Sequence, residues 1–431
     1  MRSKKMRFSN FSQAITSSST CYRPEQEKQL AMLFEYSQQT HQTLLARGKG
    51  LSYSDCCINH GGIIVDTSRF NHFLAFDEQE ETVICQPAVT FAELLSLHPH
   101  YIPPVIPGTL HATIGGGVAN DVHGKNNSHL GTLGHHIQWL EVQIGEQTFY
   151  CGSQENQQLL QATIGGLGLT GIIKRVAIKM RKASRTIQTQ AEKHHQWASL
   201  LERMQQEAEK QEYMVAWLDL LNTNQALLTF GNHFSEEITP KKTMTLTIPS
   251  LPMRLITRQT MKLYNHYYFH KAKESLYLQP LAQFNNPLDS LKHWNRLYGK
   301  NGLLQFQGVF SKDIALELLT ELQKIISHYG AVPTLAVLKY FTNSGPGLLS
   351  FAKPGFTVAI DFINTVKARD AIKQMNELVT ESKGKVYLAK DLFLTAEQFK
   401  LQYPNHQQFH RILTEFSPPI SSNLSHRLGL T

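Results

Sequence analysis

The chain has 431 residues, too many for one hydrophobic core, so two domains are expected. A hydrophobic fraction of 41% and an aromatic fraction of 10% are those of a globular protein, and no run approaches the ~18–20 apolar residues of a membrane-spanning helix. The formal net charge is +8, but Lys and Arg are spread along the chain, with short clusters only at Lys179–Lys182 and Lys241–Lys242. Basic blocks interleaved with aromatics, as in single-strand nucleic-acid binders, are absent, so anionic small ligands or an anionic membrane surface account for the charge better than nucleic acid does.

The basic N-terminus, Met1–Phe8, leads into a polar stretch from Ser9 to Cys21, with no apolar segment and cleavage site. It predicts a short disordered lead-in and no signal peptide. The cysteines are Cys21, Cys56, Cys57, Cys85 and Cys151, an odd number with no C-x-x-C pair, which argues against a disulfide framework and a zinc site. A reducing, cytoplasmic location is expected.

In chain order, residues 24–45 begin with acids after Pro24 and carry Leu30, Met32, Leu33 and Tyr36 at roughly helical spacing. Strands are predicted at Thr43–Ala46, Gly62–Asp66 and Glu81–Gln86. Thr90 and Glu93 have capping-box spacing and open a helix. Ile137–Val142 and Gln147–Tyr150 read as strands around Gly145, Gln154–Ala162 as a helix and Gly171–Ile178 as a strand. The composition shifts near Lys182–Ser184. A helix at 195–211, strands at 214–220 and 225–232, and a polar connection through Pro249 follow. The aromatic- and His-rich stretch 250–300 predicts helix and loop over a cavity. The remainder alternates strand 303–310, helix 313–329, strands 334–341 and 356–362, helix 368–382 and strand 385–388. The whole reads as α+β, with an antiparallel sheet backed by helices in the second half.

Three glycine loops stand out. The first is Arg47-Gly48-Lys49-Gly50-Leu51-Ser52-Tyr53-Ser54. The second spans Pro107-Gly108-Thr109 and Gly115-Gly116-Gly117 through His123-Gly124-Lys125-Asn126. The third is Thr163 to Gly171. Glycine lets backbone N–H groups approach a ligand closely, and a diphosphate commonly uses such a surface. Neither a Rossmann fingerprint in its strand-to-helix context nor a P-loop is present. Three loops in this order suggest a large cofactor held mainly by backbone.

Lys390 ends an apolar run beside Asp391; it is either a solvent-exposed strand terminus or a group desolvated for proton transfer. Lys339 is a charge inside the apolar run Leu335–Phe341. It meets a phosphate or hydroxyl, or lies at an edge with its head in solvent. Gln305 and Gln307 alternate with Phe306 and share one face, suiting either sugar hydroxyls or solvent. His129, His135 and His136 lack partners at metal-ligand spacing and are read as structural.

These motifs, with Asp121-Val122-His123-Gly124-Lys125-Asn126, Gly168-Leu169-Thr170-Gly171, Trp294-Asn295-Arg296, Gln305-Phe306-Gln307 and Tyr387-Leu388-Ala389-Lys390-Asp391, resemble the flavin oxidases of the vanillyl-alcohol oxidase type, with a PCMH-type FAD domain. The pattern is most similar to members that oxidise the 2′-hydroxyl of a polyprenyl-phosphoryl ribose. It departs from them at Asn127 and Ser128, where His is usual, and at Ala359, where some members carry Cys.

The resemblance implies a two-domain fold: an FAD-binding domain at 1–183, a substrate-binding domain at 184–384, and a C-terminal segment at 385–431 completing the first. Ala46, Arg47, Gly48, Lys49, Gly50, Leu51, Ser52, Tyr53 and Ser54 would wrap the FAD diphosphate. Gly108, Thr113, Ile114, Gly115, Gly116, Asn120, Asp121, Val122 and His123 would line diphosphate and ring, with Ile173 on the adenine side and Tyr387 at the flavin. The first loop lacks the His that attaches FAD covalently in many relatives, so dissociable FAD is predicted. Lys390 and His123 would be catalytic; Lys125, Gln305, Gln307, Lys339 and Lys390 would bind substrate. No metal is implied. The implied reaction is oxidation of a secondary sugar hydroxyl to a ketone by hydride transfer to flavin N5. Quinone or oxygen would reoxidise the flavin, and a short-chain dehydrogenase/reductase would act on the keto product. A lipid-linked substrate would bring the protein into peripheral contact with a membrane. The alternative is an aldonolactone or alditol oxidase releasing hydrogen peroxide.

Overall fold

The computed structural model describes residues 1–221, 224–236, 238, 246–249 and 256–431; Lys241–Lys242 and most of the connection through Pro249 lie outside the described residues. The N-terminal half holds two sheets. The first has four strands in the order Ser3–Ser9, Thr16–Tyr22, Ile63–Asp66, Leu44–Arg47, the first pair antiparallel and the others parallel. The expected disordered lead-in is therefore a strand. Its residues from Ser3 to Ser9 pair with Thr16–Tyr22, Phe8 packs against the core, and Lys4, Lys5 and Arg7 point to solvent. Basic side chains on an outer strand keep that edge from pairing with another chain. The first helix, Lys28–Thr40, is shorter than the pattern over 24–45 suggested, because the chain turns at His41, in the left-handed region, and enters the next strand at Leu44.

A five-stranded antiparallel sheet follows, in the order Phe73–Asp77, Thr82–Cys85, Ile172–Lys179, Ile137–Ile144, Gln147–Gly152. The short helix Phe91–Ser96 carries the full capping box, with the Glu93 carboxylate accepting from the Thr90 amide at 2.8 Å.

The second half is built on an eight-stranded sheet in the order Tyr277–Pro280, Thr186–His194, Ala226–His233, Tyr213–Leu218, Pro333–Phe341, Gly355–Ile363, Leu303–Phe310, Lys385–Val386. All its neighbours are antiparallel. On one face Phe306, Phe310, Ile360 and Leu338 pack with the helices Trp197–Glu207, Ala315–Tyr329 and Val366–Glu381 through Leu200, Leu322 and Met375. Register fixes the other face. Gln305 lies opposite Asp361, Gln307 opposite Ala359, and Lys339 opposite Thr357. A side-chain period of two then puts all six on the face away from the helices. Among the described residues no helix is long and apolar enough to cross a membrane.

The last strand is two residues long, not four. The chain leaves the sheet after Val386, although the Tyr387 amide still donates to Gln307 O at 2.9 Å. The bend presents Ala389 O to the first glycine loop, where Tyr53 N and Ser54 N donate to it at 3.1 and 3.2 Å. The C-terminal segment also returns to the N-terminal sheet: Leu44 N donates to Pro419 O at 2.8 Å. Arg427 pins the two regions, with its guanidinium on Asp55 at 2.9 Å and on Asp391 at 2.8 Å. Both carboxylates are buried. Arg427→Met leaves both unpaired and should cost about 3–5 kcal/mol. Urea unfolding at neutral pH measures this, and a loss below about 1 kcal/mol would show that the clasp contributes little.

Candidate flavin and substrate site

The first glycine loop leaves the parallel strand Leu44–Arg47 and runs to the 3-10 turn at Asp55–Cys57. Among the described residues, the main-chain amides of Gly48, Lys49, Gly50, Leu51 and Ser52 donate to no protein acceptor. Two contacts hold this loop open. Arg47 reaches over it to Ser9 O at 2.7 Å and to Cys57 O, and the Thr113 side chain sits against Gly48. A Cβ on Gly48 would collide with Thr113 Oγ1, which itself accepts from Gly116 N at 3.3 Å. The glycine is thus where the first and second loops meet. A row of unpaired, partly exposed amides is an anion-binding surface.

The second loop carries His123 under the open face of the eight-stranded sheet. His123 is 7% exposed, edge-on to Phe341 at 4.8 Å and 5.6 Å from the Tyr387 ring. Tyr387 stacks on Phe351 at 4.7 Å and its hydroxyl donates to Asn120 O at 2.9 Å. The His123 ring nitrogens face Gln307 Nε2 at 3.0 Å and Lys339 Nζ at 3.5 Å. Burial, then the Lys339 charge, holds the imidazole well below its ordinary pKa, so it is neutral at pH 7. A neutral ring has one donor and one acceptor. With Lys339 donating to Nδ1, Nε2–H becomes a donor, and Gln307 meets it with its carbonyl oxygen once the amide is turned.

Lys125, Lys339 and Lys390 all belong to this cluster. Burial lowers Lys339 to about 8. Burial, then Lys339, lowers Lys125 to about 7; its Nζ donates to Phe284 O and lies 4.6 Å from the Phe284 ring centre. Lys390 Nζ sits 3.8 Å from the centre of the Tyr53 ring. Burial pulls Lys390 down and pushes Asp361 up, and the opposite charges of this pair partly offset both. Gln305 Nε2 donates to Asp361 Oδ1, while the buried Gln305 Oε1 has no partner among the described residues. Asp391, adjacent in sequence to Lys390, turns instead to Arg427 and Asn376.

The structure thus gathers His123, Lys125, Gln305, Gln307, Lys339, Tyr387 and Lys390 at one place. Several other candidates have their side chains elsewhere. Ile114 and Ile173 are core residues. The Asp121 carboxylate holds Gly134 N at 2.9 Å and Ser350 Oγ at 2.5 Å. Ser54 caps the turn at Asp55–Cys57. Lys49 and Gly108 are exposed, and Ala46, Leu51 and Val122 are partly buried. Asp361 escaped the sequence reading. It is a charge in an apolar strand, the same signal that marked Lys339. Among the described residues no group of three His, Cys, Asp or Glu could hold a metal ion.

The sequence profile of the FAD binding domain matches residues 19–147. Decaprenylphosphoryl-beta-D-ribose oxidase of Mycolicibacterium smegmatis is 30% identical over 90% of this chain and 89% of its own. The chain belongs to the FAD-linked, PCMH-type oxidases of the vanillyl-alcohol oxidase family. An uncharacterized protein in the mprA 5′ region of Streptomyces coelicolor is 24% identical over 76% of the chain and 95% of its own length. An uncharacterized oxidoreductase in the fasciation locus of Rhodococcoides fascians is 26% identical over 35% of each. The protein is an FAD-dependent oxidoreductase acting on CH–OH groups.

The residues present fit FAD. Unpaired amides at 48–52 suit a diphosphate, and the aromatic and cationic cluster beyond them suits the ring and an anionic substrate. Gly48→Val should weaken FAD binding at least tenfold by pushing Thr113 off Gly116. Fluorescence titration of the apoprotein reads this directly, and unchanged affinity would remove the loop junction from the cofactor site. The lysines set a pH signature. A Lys whose folded pKa is depressed costs stability while it is protonated in both states, and the cost is relieved as pH rises from the folded toward the unfolded value. The cost attached to Lys339 should therefore fall between about pH 8 and its ordinary value of 10.5. The stability advantage of Lys339→Gln over wild type, at most about 3 kcal/mol at pH 7, should vanish across that window. Paired urea unfolding curves from pH 7 to pH 10 test it, and a pH-independent difference would contradict it.

Proposed function

We propose that the protein oxidises a secondary hydroxyl of a phosphate-bearing sugar, the 2′-hydroxyl of a polyprenyl-phosphoryl pentose, to the ketone. The observation that carries this reading is the set of half-buried lysines. Neither Lys125 nor Lys339 has a carboxylate partner among the described residues, and burying an ammonium group without an anion is costly. A sugar phosphate supplies that anion; a neutral lactone does not. The similarity to an enzyme named for decaprenylphosphoryl ribose supports the same substrate class.

The FAD, when bound, supplies the hydride acceptor. Lys125 and Lys339 hold the phosphate side of the substrate. Gln305 Oε1, which has no partner among the described residues, accepts from a sugar hydroxyl, and Gln307 orients His123 beside it. Lys390 takes up the hydroxyl proton: burial weakens its hold on its own proton, and Asp361 supplies a countercharge when it is protonated. Tyr387 and Phe351 form an apolar wall that excludes water from the ring. The FAD is dissociable, residues 184–384 form the substrate domain, and 385–431 complete the cofactor domain. The electrons pass on to a quinone or to oxygen, and a short-chain dehydrogenase/reductase consumes the ketone.

Anaerobic mixing with a short-chain prenyl-phosphoryl ribose should bleach the flavin, and Lys390→Ala should slow bleaching by about 10²–10⁴. Bleaching of that variant at the wild-type rate would remove Lys390 from the chemistry. Bleaching only by soluble lactones or alditols, with release of peroxide, would replace the phosphosugar by the neutral substrates.

A further inference from the structure

The helix Arg258–Lys271 is apolar on two sides. Met261, Asn265 and Phe269 recur every four residues and turn inward. Phe269 packs on Ala191, Trp217 and Leu227, with Leu335 against the same cluster. Register places Trp217 opposite Val337, on the sheet face that carries Lys339. On the outer side of the helix Leu263, Tyr264 and Tyr267 are exposed, Leu263 by 72%. At 100° per residue these three span an arc of about 100°. Leu276 and Leu278, at the edge strand Tyr277–Pro280, are 59% and 39% exposed. Tyr264 stacks on Tyr268 at 5.9 Å, and Tyr268 meets Trp217 edge-on at 5.1 Å. Aromatic contact thus runs unbroken from the outer surface to the substrate-side face of the sheet.

The charge around this patch is mostly positive. Lys262, Lys271 and Lys273 are exposed on it, with His266 and His270. Glu274 is the only acid between residues 256 and 288, and its carboxylate accepts from Lys193 N at 3.0 Å. A surface helix of a globular protein ordinarily shows a polar outer face. Leu and Tyr outside, rimmed by Lys, is the pattern of a helix lying in a membrane interface.

We propose that this helix and the adjoining edge strand seat the protein on an anionic lipid bilayer. The purpose rests on the lipid-linked reading above. Leu335, beneath Phe269, is four residues along its strand from Lys339, roughly 13 Å. A phosphate held at Lys339 would send its hydrocarbon chain toward the bilayer beneath the helix.

The test is flotation of the FAD-loaded full chain with phosphatidylglycerol–phosphatidylcholine vesicles and with phosphatidylcholine vesicles alone. Binding should favour the anionic vesicles and weaken with salt. It should fall at least tenfold in the double variant Leu263→Ser, Tyr267→Ser, whose circular dichroism and flavin content stay those of wild type. The pair Lys262→Gln, Lys271→Gln should remove the preference for anionic lipid. Absence of binding to either vesicle, or binding that neither variant weakens, would overturn the proposal. So would a wild-type dimer that the Leu263 and Tyr267 changes turn into a monomer, which would make the patch an interface between two copies. Flavin bleaching by a detergent-dispersed prenyl-phosphoryl sugar reads the catalytic assignment separately. Wild-type protein that bleaches but binds neither vesicle defeats the docking surface alone; wild-type protein that binds vesicles but does not bleach defeats the substrate alone.

Discussion

Five consecutive main-chain amides without an acceptor among the described residues are the constraint around which the N-terminal half is arranged. A polar group left unpaired in a folded protein has a cost, and the chain keeps these five at the surface of a loop where a ligand or water reaches them. Holding them so needs support from three distant parts of the sequence. Arg47 braces the loop against Ser9 and Cys57, Thr113 closes on Gly48, and Ala389 O takes the amides of Tyr53 and Ser54. The last contact explains why the C-terminal segment returns to the first sheet, and why Arg427 clasps Asp55 to Asp391.

The second constraint is charge in a place that disfavours it. Lys125, Lys339 and Lys390 are brought under one sheet face, where Asp361 is the carboxylate that acts on Lys390 among the described residues. Burial lowers the pKa of each of these lysines and keeps His123 neutral, and the Lys339 charge adds to this at Lys125, Lys390 and His123. It makes the site receptive to an anion and poised to take a proton near neutral pH. Stability is given up to hold this arrangement, as at other sites where local rules are broken for function. The helices on the opposite face, packed through Phe306, Phe310 and Leu338, supply the burial that offsets it.

Much of this was legible in the chain. Strand alternation placed Gln305 and Gln307 on one face, and the register bears that out. The Thr90–Glu93 capping box was readable because it is local. The long strands and helices from Leu303 to Glu381 came out within a few residues, because their periodicity is strong. The failures were of other kinds. The N-terminal strand has little hydrophobic signal of its own and is held by its pairing with Thr16–Tyr22. The strand Thr186–His194 is mostly polar and takes its place from two neighbours. Asp361 carried a signal that sequence reasoning used only for Lys339. The partner of Lys390 could not be read from adjacency, since Asp391 faces Arg427 and Asp361 arrives from another strand. The outward face of the helix Arg258–Lys271 needs the fold to show which of its apolar residues are core.

Hydrogen exchange followed residue by residue, with and without FAD, addresses the amide loop most directly. These amides have no acceptor among the described residues, so Gly48 to Ser52 should exchange rapidly in the apoprotein and become strongly protected once FAD is added. Protection that develops elsewhere while those five amides continue to exchange at the apoprotein rate would contradict the account.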